Sequence, residues 1–297
     1  MSDRGGRGGR PESFGILLST VRYEERRILS ELDRRGIPAV RLDPRALSFG
    51  PRDTERFRGM AVLNREISSQ RAALAAESLE AFGARPMNDA YATRVCGNKW
   101  STYLRLKQCG IPTPTTLLAP AAEAGIEAIE SLGYPAVVKP LSASWGNRVS
   151  LITDRHAADA VLEHCAAMPS AVARTVIVQQ AIRPGAPDMR GIVVDGVCVG
   201  IIRRSGSDWR NNVARGATVE HLAPSEEIYG LCVQAAAAVG ARIAGVDLVE
   251  DVDGSFMVLE VNSRVEFQGF EDATGVDVAA RLIDACASEV IDVKETI

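Results

Sequence analysis

Val246-Asp247-Leu248-Val249-Glu250-Asp251-Val252-Asp253-Gly254-Ser255-Phe256-Met257-Val258-Leu259-Glu260-Val261-Asn262 decides how this chain is read. Two runs rich in β-branched and aliphatic residues flank an Asp-Gly turn signal, the pattern of a β-hairpin. Pairing Glu250 with Ser255 sets Asp247 opposite Val258 and makes Glu260 its diagonal neighbour, at roughly 7 Å. Side chains alternate faces along a strand, so Val258, Glu260 and Asn262 share a face that Asp247 joins. Two carboxylates side by side among apolar residues repel unless a cation lies between them. An all-oxygen set of two carboxylates and an amide suits Mg²⁺. A surface hairpin with solvated acids is the competing reading.

Outward from the hairpin, the 297 residues are 46% apolar and 24% charged, enough for a sizeable core or two to three subdomains. The six cysteines, at 96, 109, 165, 198, 232 and 286, show no Cys-x-x-Cys or Cys/His ligand spacing. They are expected as reduced thiols of a cytoplasmic protein. No run reaches the ~18 apolar residues of a membrane span. Residues 1–13 are Gly/Arg-rich and are expected to be a disordered tail rather than a signal peptide. Charge is unevenly spread: residues 1–110 hold 20 Lys and Arg against 13 Asp and Glu, and residues 111–297 hold 14 against 25. A basic front attracts an acidic partner; a basic tail plus solvated helix faces explains it equally well.

Phe14–Ser19, Ala39–Leu42 and Met60–Asn64 read as strands. They alternate with helices over Glu24–Arg35, carrying Ile28 and Leu32 on one face, and Ser69–Phe82, stopped by Gly83. This is the pattern of a small parallel α/β unit. It lacks Gly-x-Gly-x-x-Gly, so no nucleotide site is expected there. Tyr134–Pro140 reads as a strand with Lys139 at its exit, followed by Ser142–Arg148, a small loop suited to closing over phosphates. Lys99 stands at a helix start, where an anion is favoured. A plain turn and an exposed helix lysine are the alternatives. Met189–Val194 and Val197–Arg203 form a hairpin around Asp195-Gly196. His221 is the one candidate general base, and a lone His is more often structural.

In order along the chain, Lys99, Lys139 with its loop, Gln179-Gln180-Ala181-Ile182, Asp188-Met189-Arg190, Asp247, Glu260 and Asn262 resemble the ATP-grasp superfamily, over about residues 14–287. Within it the chain is similar to the LysX-type branch, near the ribosomal-protein glutamate ligase RimK. That likeness lies in Cys96-Gly97-Asn98-Lys99-Trp100, Val138-Lys139-Pro140 with Ser144-Trp145-Gly146, Arg203-Arg204-Ser205 and Asn211-Asn212-Val213-Ala214-Arg215-Gly216. It extends through Glu260-Val261-Asn262, Glu266-Phe267 and Ala273-Thr274-Gly275-Val276-Asp277.

The resemblance implies an α/β (α+β) ATP-grasp fold: a small N-terminal parallel α/β domain over 14–92 and two α+β subdomains, 93–177 and 178–297, clasping ATP. It implies a ligase that extends the C-terminal glutamate of a small acidic amino-group carrier protein by an amino acid, through an acyl phosphate. Lys99, Lys139 and the loop at Ser144, Trp145 and Gly146 are expected at the phosphates. Gln179, Gln180 and Ile182 are expected at the adenine, Asp188 at the ribose, and Arg210, Asn211 and Asn212 back at the nucleotide. Arg190 and Arg203 are expected to grip the γ-phosphate or acyl phosphate. Asp247, Glu260 and Asn262 are expected to bind two Mg²⁺ ions, with Mn²⁺ as a substitute. Arg204, Arg215, Arg264, Phe270, Thr274 and Gly275 are expected around the amino acid, glutamate in preference to α-aminoadipate. A homo-oligomer, dimer or tetramer, is expected, with no nucleic-acid or membrane partner. Two other readings stand beside this one: a RimK-like ligase adding glutamate to another protein or a small peptide, and an ATP-binding regulatory module. The chain departs from the family at Gln180-Ala181, where Glu-Tyr or Glu-Phe is usual, and at Arg264, which replaces a smaller residue.

Overall fold

The computed structural model describes residues 14–50, 52–142, 147–206, 209, 216–223 and 225–291. The chain folds as two units, residues 1–93 with 277–297 and residues 94–276.

The first unit holds β1 (Phe14–Leu17), α1 (Tyr23–Arg35), β2 (Ala39–Leu42), α2 (Asp53–Phe57), β3 (Ala61–Asn64), α3 (Ser69–Ala81) and β4 (Arg85–Met87). Its strands form a parallel sheet in the order β2-β1-β3-β4. β1 and β3 are buried throughout, as continuous apolar runs in a covered parallel sheet should be. α1 buries Ile28 and Leu32 and ends at Gly36 in the left-handed conformation, φ 64°. Arg65, past the end of β3, is fully buried and donates through Nε and Nη2 to Glu25 of α1.

The second unit starts in α4 (Ala90–Cys96), which straddles the division, and continues with α5 (Lys99–Gln108), β5 (Thr116–Ala119), α6 (Ala122–Leu132), β6 (Ala136–Pro140) and β7 (Ser150–Ile152). α7 (Arg155–Ala166), α8 (Ala171–Arg174) and β8 (Val176–Gln180) follow. The antiparallel sheet β5-β8-β6-β7 packs its apolar face, including Ala136, Val138, Val176 and Val178, against Ile129 of α6 and Leu162 of α7. A division between residues 177 and 178 would cut β8, which pairs with β5 as far as Gln179 and with β6 as far as Gln180.

Next come β9 (Asp188–Val194), β10 (Val197–Ser205), β11 (Thr218–His221), α9 (Glu226–Ala238), β12 (Ile243–Glu250), β13 (Phe256–Asn262) and α10 (Gln268–Thr274). They build an antiparallel sheet in the order β11-β10-β9-β12-β13. The β9–β10 turn carries positive φ at Asp195 and Gly196, as a type I′ turn requires. One sheet face packs on α9; a Cβ placed on Gly191 would meet the Cys232 sulfur at 2.4 Å. On the opposite face a Cβ at Gly200 would lie 2.9 Å from the Phe270 ring of α10, so that position needs glycine for the ring to seat.

The last helix, α11 (Val278–Ile291), belongs to the first unit, not to the residues that precede it. It packs on α1 and β3, and Asp284 pairs with Arg35. All six cysteines are free. Among the described residues no helix is long and apolar enough to cross a membrane.

Candidate active site

The site grows from strand alternation. Glu250 pairs with Phe256, one residue beyond the partner expected from the turn, because Asp251–Ser255 forms a wider loop closed by Asp251 N–H to Ser255 O. A bulge then leaves Leu259 unpaired, so Asp247 faces Glu260 directly rather than Val258. Leu248 pairs with Val258 and Val246 with Val261, all four buried on the α9 side. Val258 therefore lies on the face opposite Glu260 and Asn262. The bulge is what keeps both acids and Asn262 on one face while the apolar residues stay in the core.

β9 and β10 present cations to the same face. Arg190, paired with Asp247, donates Nε and Nη2 to its two carboxylate oxygens, both at 2.7 Å. Arg204 donates Nε to Asp188 at 2.6 Å and Nη2 to Asp247 at 3.1 Å. Burial alone pushes the Asp247 carboxyl up, but Arg190 and Arg204 outweigh it and hold it below the ordinary range. The same burial opposes charge on Arg190, and Asp247 and Asp188 more than offset it, raising the guanidinium above its usual value. Asp188 is the acid that yields: burial pushes it up to about 6, against the pull of Arg204.

From the other elements come two lysines. Asn98 caps α5, accepting from the N–H groups of Trp100 and Ser101, and Lys99 follows it. Lys99 Nζ donates to Glu260 at 2.6 Å. Lys139, at the end of β6, donates to Gln179 Oε1 at 2.6 Å. Burial lowers the Lys139 amine to about 8, with Lys99 adding repulsion and Glu260 and Asp247 opposing it. Among the described residues, four carboxylates (Asp188, Asp247, Glu260, Glu266) thus meet five cations (Lys99, Lys139, Arg190, Arg204, Arg264). The surplus positive charge suits an anionic ligand, and the flexible lysines present it as point charges.

The structure brings together Lys99, Lys139, Gln179, Asp188, Arg190, Asp247, Glu260 and Asn262. Arg203 does not join them. It pairs with Met189, on the α9 side of the sheet, and is exposed. Its neighbour Arg204, expected at the amino acid, is the arginine on the active face, because adjacent strand residues point to opposite sides. Gln180 is exposed at the end of β8 with its N–H bonded to Thr115 O, and Ile182 lies partly buried just beyond. Arg264 pairs with Glu266 at 3.4 Å. Phe270 is buried beneath β10, Thr274 Oγ1 donates to Phe270 O, and Gly275 caps α10 at φ 71°. His221 is exposed on the edge strand β11. Ser144, Trp145, Gly146, Arg210, Asn211, Asn212 and Arg215 lie outside the described residues.

Among the described residues no group of three His, Cys, Asp or Glu is poised for a metal. The donors that fit a hard cation are two carboxylates in register and one amide oxygen. Asp247 accepts on both oxygens from Arg190 and on Oδ1 from Arg204, which leaves a lone pair of Oδ2 for a cation. The sequence carries no signal for Thr116, a buried residue whose hydroxyl oxygen accepts from Gln179 behind Lys139.

Residues 96–286 match the family model described as RimK-like ATP-grasp domain, and residues 14–95 match LysX preATP-grasp domain. The chain is 31% identical over 273 residues, 91% of its length and 96% of the relative's, to glutamate–LysW ligase ArgX of Sulfurisphaera tokodaii. It is 27% identical to α-aminoadipate–LysW ligase LysX of Sulfolobus acidocaldarius, covering 89% of this chain and 97% of that one. A crystal structure of a RimK domain ATP-grasp protein from Sphaerobacter thermophilus superposes with a TM-score of 0.75. It shares 26% identity and covers 92% of this chain and 98% of that chain.

Proposed function

Since the chain belongs to the RimK-like ATP-grasp family and is an ATP-dependent carboxylate–amine ligase, we propose that it extends a small acidic carrier protein by one amino acid. The acceptor is the C-terminal glutamate of the carrier. Its side-chain carboxylate attacks the γ-phosphorus of ATP, ADP departs, and the acyl phosphate is taken by the α-amine of free glutamate, releasing phosphate. Glutamate is preferred over α-aminoadipate. The names of the relatives support this reading, with the glutamate-specific ligase the more similar of the two. The basic balance of residues 1–110 supports an acidic partner.

The observation that carries the chemistry is the convergence of Lys99, Lys139 and Arg190 on one face with Asp247 and Glu260. Phosphoryl transfer needs positioning and charge neutralisation more than covalent help. Lys139 and Lys99 hold the α- and β-phosphates. Arg190, fixed by its two bonds to Asp247, offers its remaining N–H groups to the transferring group as charge-assisted donors. Asp188 takes the ribose hydroxyls. Asp247, Glu260 and Asn262 would hold two Mg²⁺ ions, whose chemistry there would be neutralisation of phosphate charge. The test is carrier-dependent ADP release: it should require both a Glu-ended carrier and glutamate. ADP release with glutamate and an unrelated peptide alone would favour the RimK-like alternative.

A further inference from the structure

Lys139 is held by a three-part hydrogen-bond chain that runs across the β5-β8-β6 ladder. Gln179 of β8 pairs with Thr116 of β5 on one side and Val137 of β6 on the other, and Lys139 sits diagonally across from it. Lys139 Nζ donates to Gln179 Oε1 at 2.6 Å, Gln179 Nε2 donates to Thr116 Oγ1 at 2.9 Å, and Thr116 Oγ1 donates to Pro114 O at 2.9 Å. Gln179 and Thr116 are 3% and 2% exposed, so water has little part in the chain.

Its polarity has one solution. An ammonium group only donates, so the amide must turn its oxygen to Lys139 and its NH₂ to Thr116. The Thr116 oxygen accepts there, and its own hydrogen is left for the Pro114 carbonyl. Without the hydroxyl, the buried NH₂ loses its acceptor, and the amide keeps only its bond to Lys139 to orient it, with the cost of an unpaired buried NH₂ drawing it away.

We propose that Thr116 and Gln179 are positioning residues: the chain from the Pro114 carbonyl through Thr116 and Gln179 fixes where the Lys139 ammonium presents its charge. Neither side chain needs to touch the nucleotide. The effect on ATP rests on the reading of Lys139 as a phosphate ligand; the effect on Lys139 itself does not.

The chain has only four lysines, at 99, 107, 139 and 294, so ¹⁵N-lysine labelling resolves each ammonium group, with Lys139→Met assigning its own signal. Thr116→Val and Gln179→Leu should move the Lys139 signal in nucleotide-free protein, and Thr116→Ser, which keeps the hydroxyl, should not. Thr116→Val should raise KM for ATP about tenfold with a much smaller change in kcat, and Thr116→Ser should restore it. An unmoved Lys139 signal in folded Thr116→Val would overturn the proposal and leave Thr116 a core residue. If the signal moves, but neither Thr116→Val nor Lys139→Met alters KM for ATP, the relay stands and the phosphate reading of Lys139 fails instead.

Discussion

Asp247 and Glu260 stand directly opposite each other across the β12–β13 ladder, and each is claimed by a different cation: Asp247 by Arg190, Glu260 by Lys99. The bulge at Leu259 creates this pairing, and the two ion pairs keep like charges from destabilising the hairpin. The two acids are thus each paired with a cation within the protein itself.

Glu260→Gln should leave the fold intact and lower turnover by about 100-fold or more, since the amide keeps the volume and loses the charge. Circular dichroism checks the fold and ADP release the rate. Turnover close to wild type at ordinary Mg²⁺ concentrations would remove Glu260 from the metal assignment.

Asp247→Asn should be costlier to the fold. It leaves Arg190 and part of Arg204 without their anionic partner in a mostly buried place, a loss of roughly 3 kcal/mol. Urea unfolding measures it; a change below ~0.5 kcal/mol would mean the guanidinium groups are solvated there.

If Lys139 holds a phosphate, nucleotide binding should depend on pH. With its amine lowered to about 8 by burial, the native protein releases this proton around pH 8, whereas the unfolded chain keeps it to about 10.5. The unfolded chain binds more protons across that window, so stability from this group rises with pH there. ATP affinity moves the other way, falling as pH climbs through 8 and the neutral amine replaces the cation. Calorimetric Kd values from pH 7 to 9.5 should show that fall in wild type and not in Lys139→Met.

Gly200→Ala should destabilise the protein by about 1–3 kcal/mol, because the new methyl lies 2.9 Å from the Phe270 ring. Phe270→Leu in the same chain should recover part of the loss. Thermal unfolding of the two single variants and the double variant closes the cycle; strict additivity would mean that the ring and the methyl do not meet.

Much of this was legible from residue order. The 3.6-residue spacing of Ile28 and Leu32 marks α1, and the two Asp-Gly turns mark both hairpins. The acids on the second hairpin fall on one face, as their spacing suggests, but by a different register. A bulge leaves no mark in an apolar run, so Leu259 gave no warning. Arg203 and Arg204 are adjacent and chemically identical, and only the β9–β10 register decides which one reaches Asp247. An amphipathic helix does not name its partner, so nothing in Val278–Ile291 announced that it packs on α1. Nothing in the order of residues announced that the Phe270 ring seats against Gly200.

The central claim is one amino acid added to one carrier. Intact-mass spectrometry of a small acidic carrier ending in Glu, incubated with enzyme, ATP, Mg²⁺ and glutamate, measures it directly. A single added glutamyl residue, formed faster than the α-aminoadipyl adduct, is the predicted result. The preference should be modest, because one methylene carries only ~1–3 kcal/mol of discrimination. A ladder of several glutamates, or no adduct on any Glu-ended carrier, would contradict it.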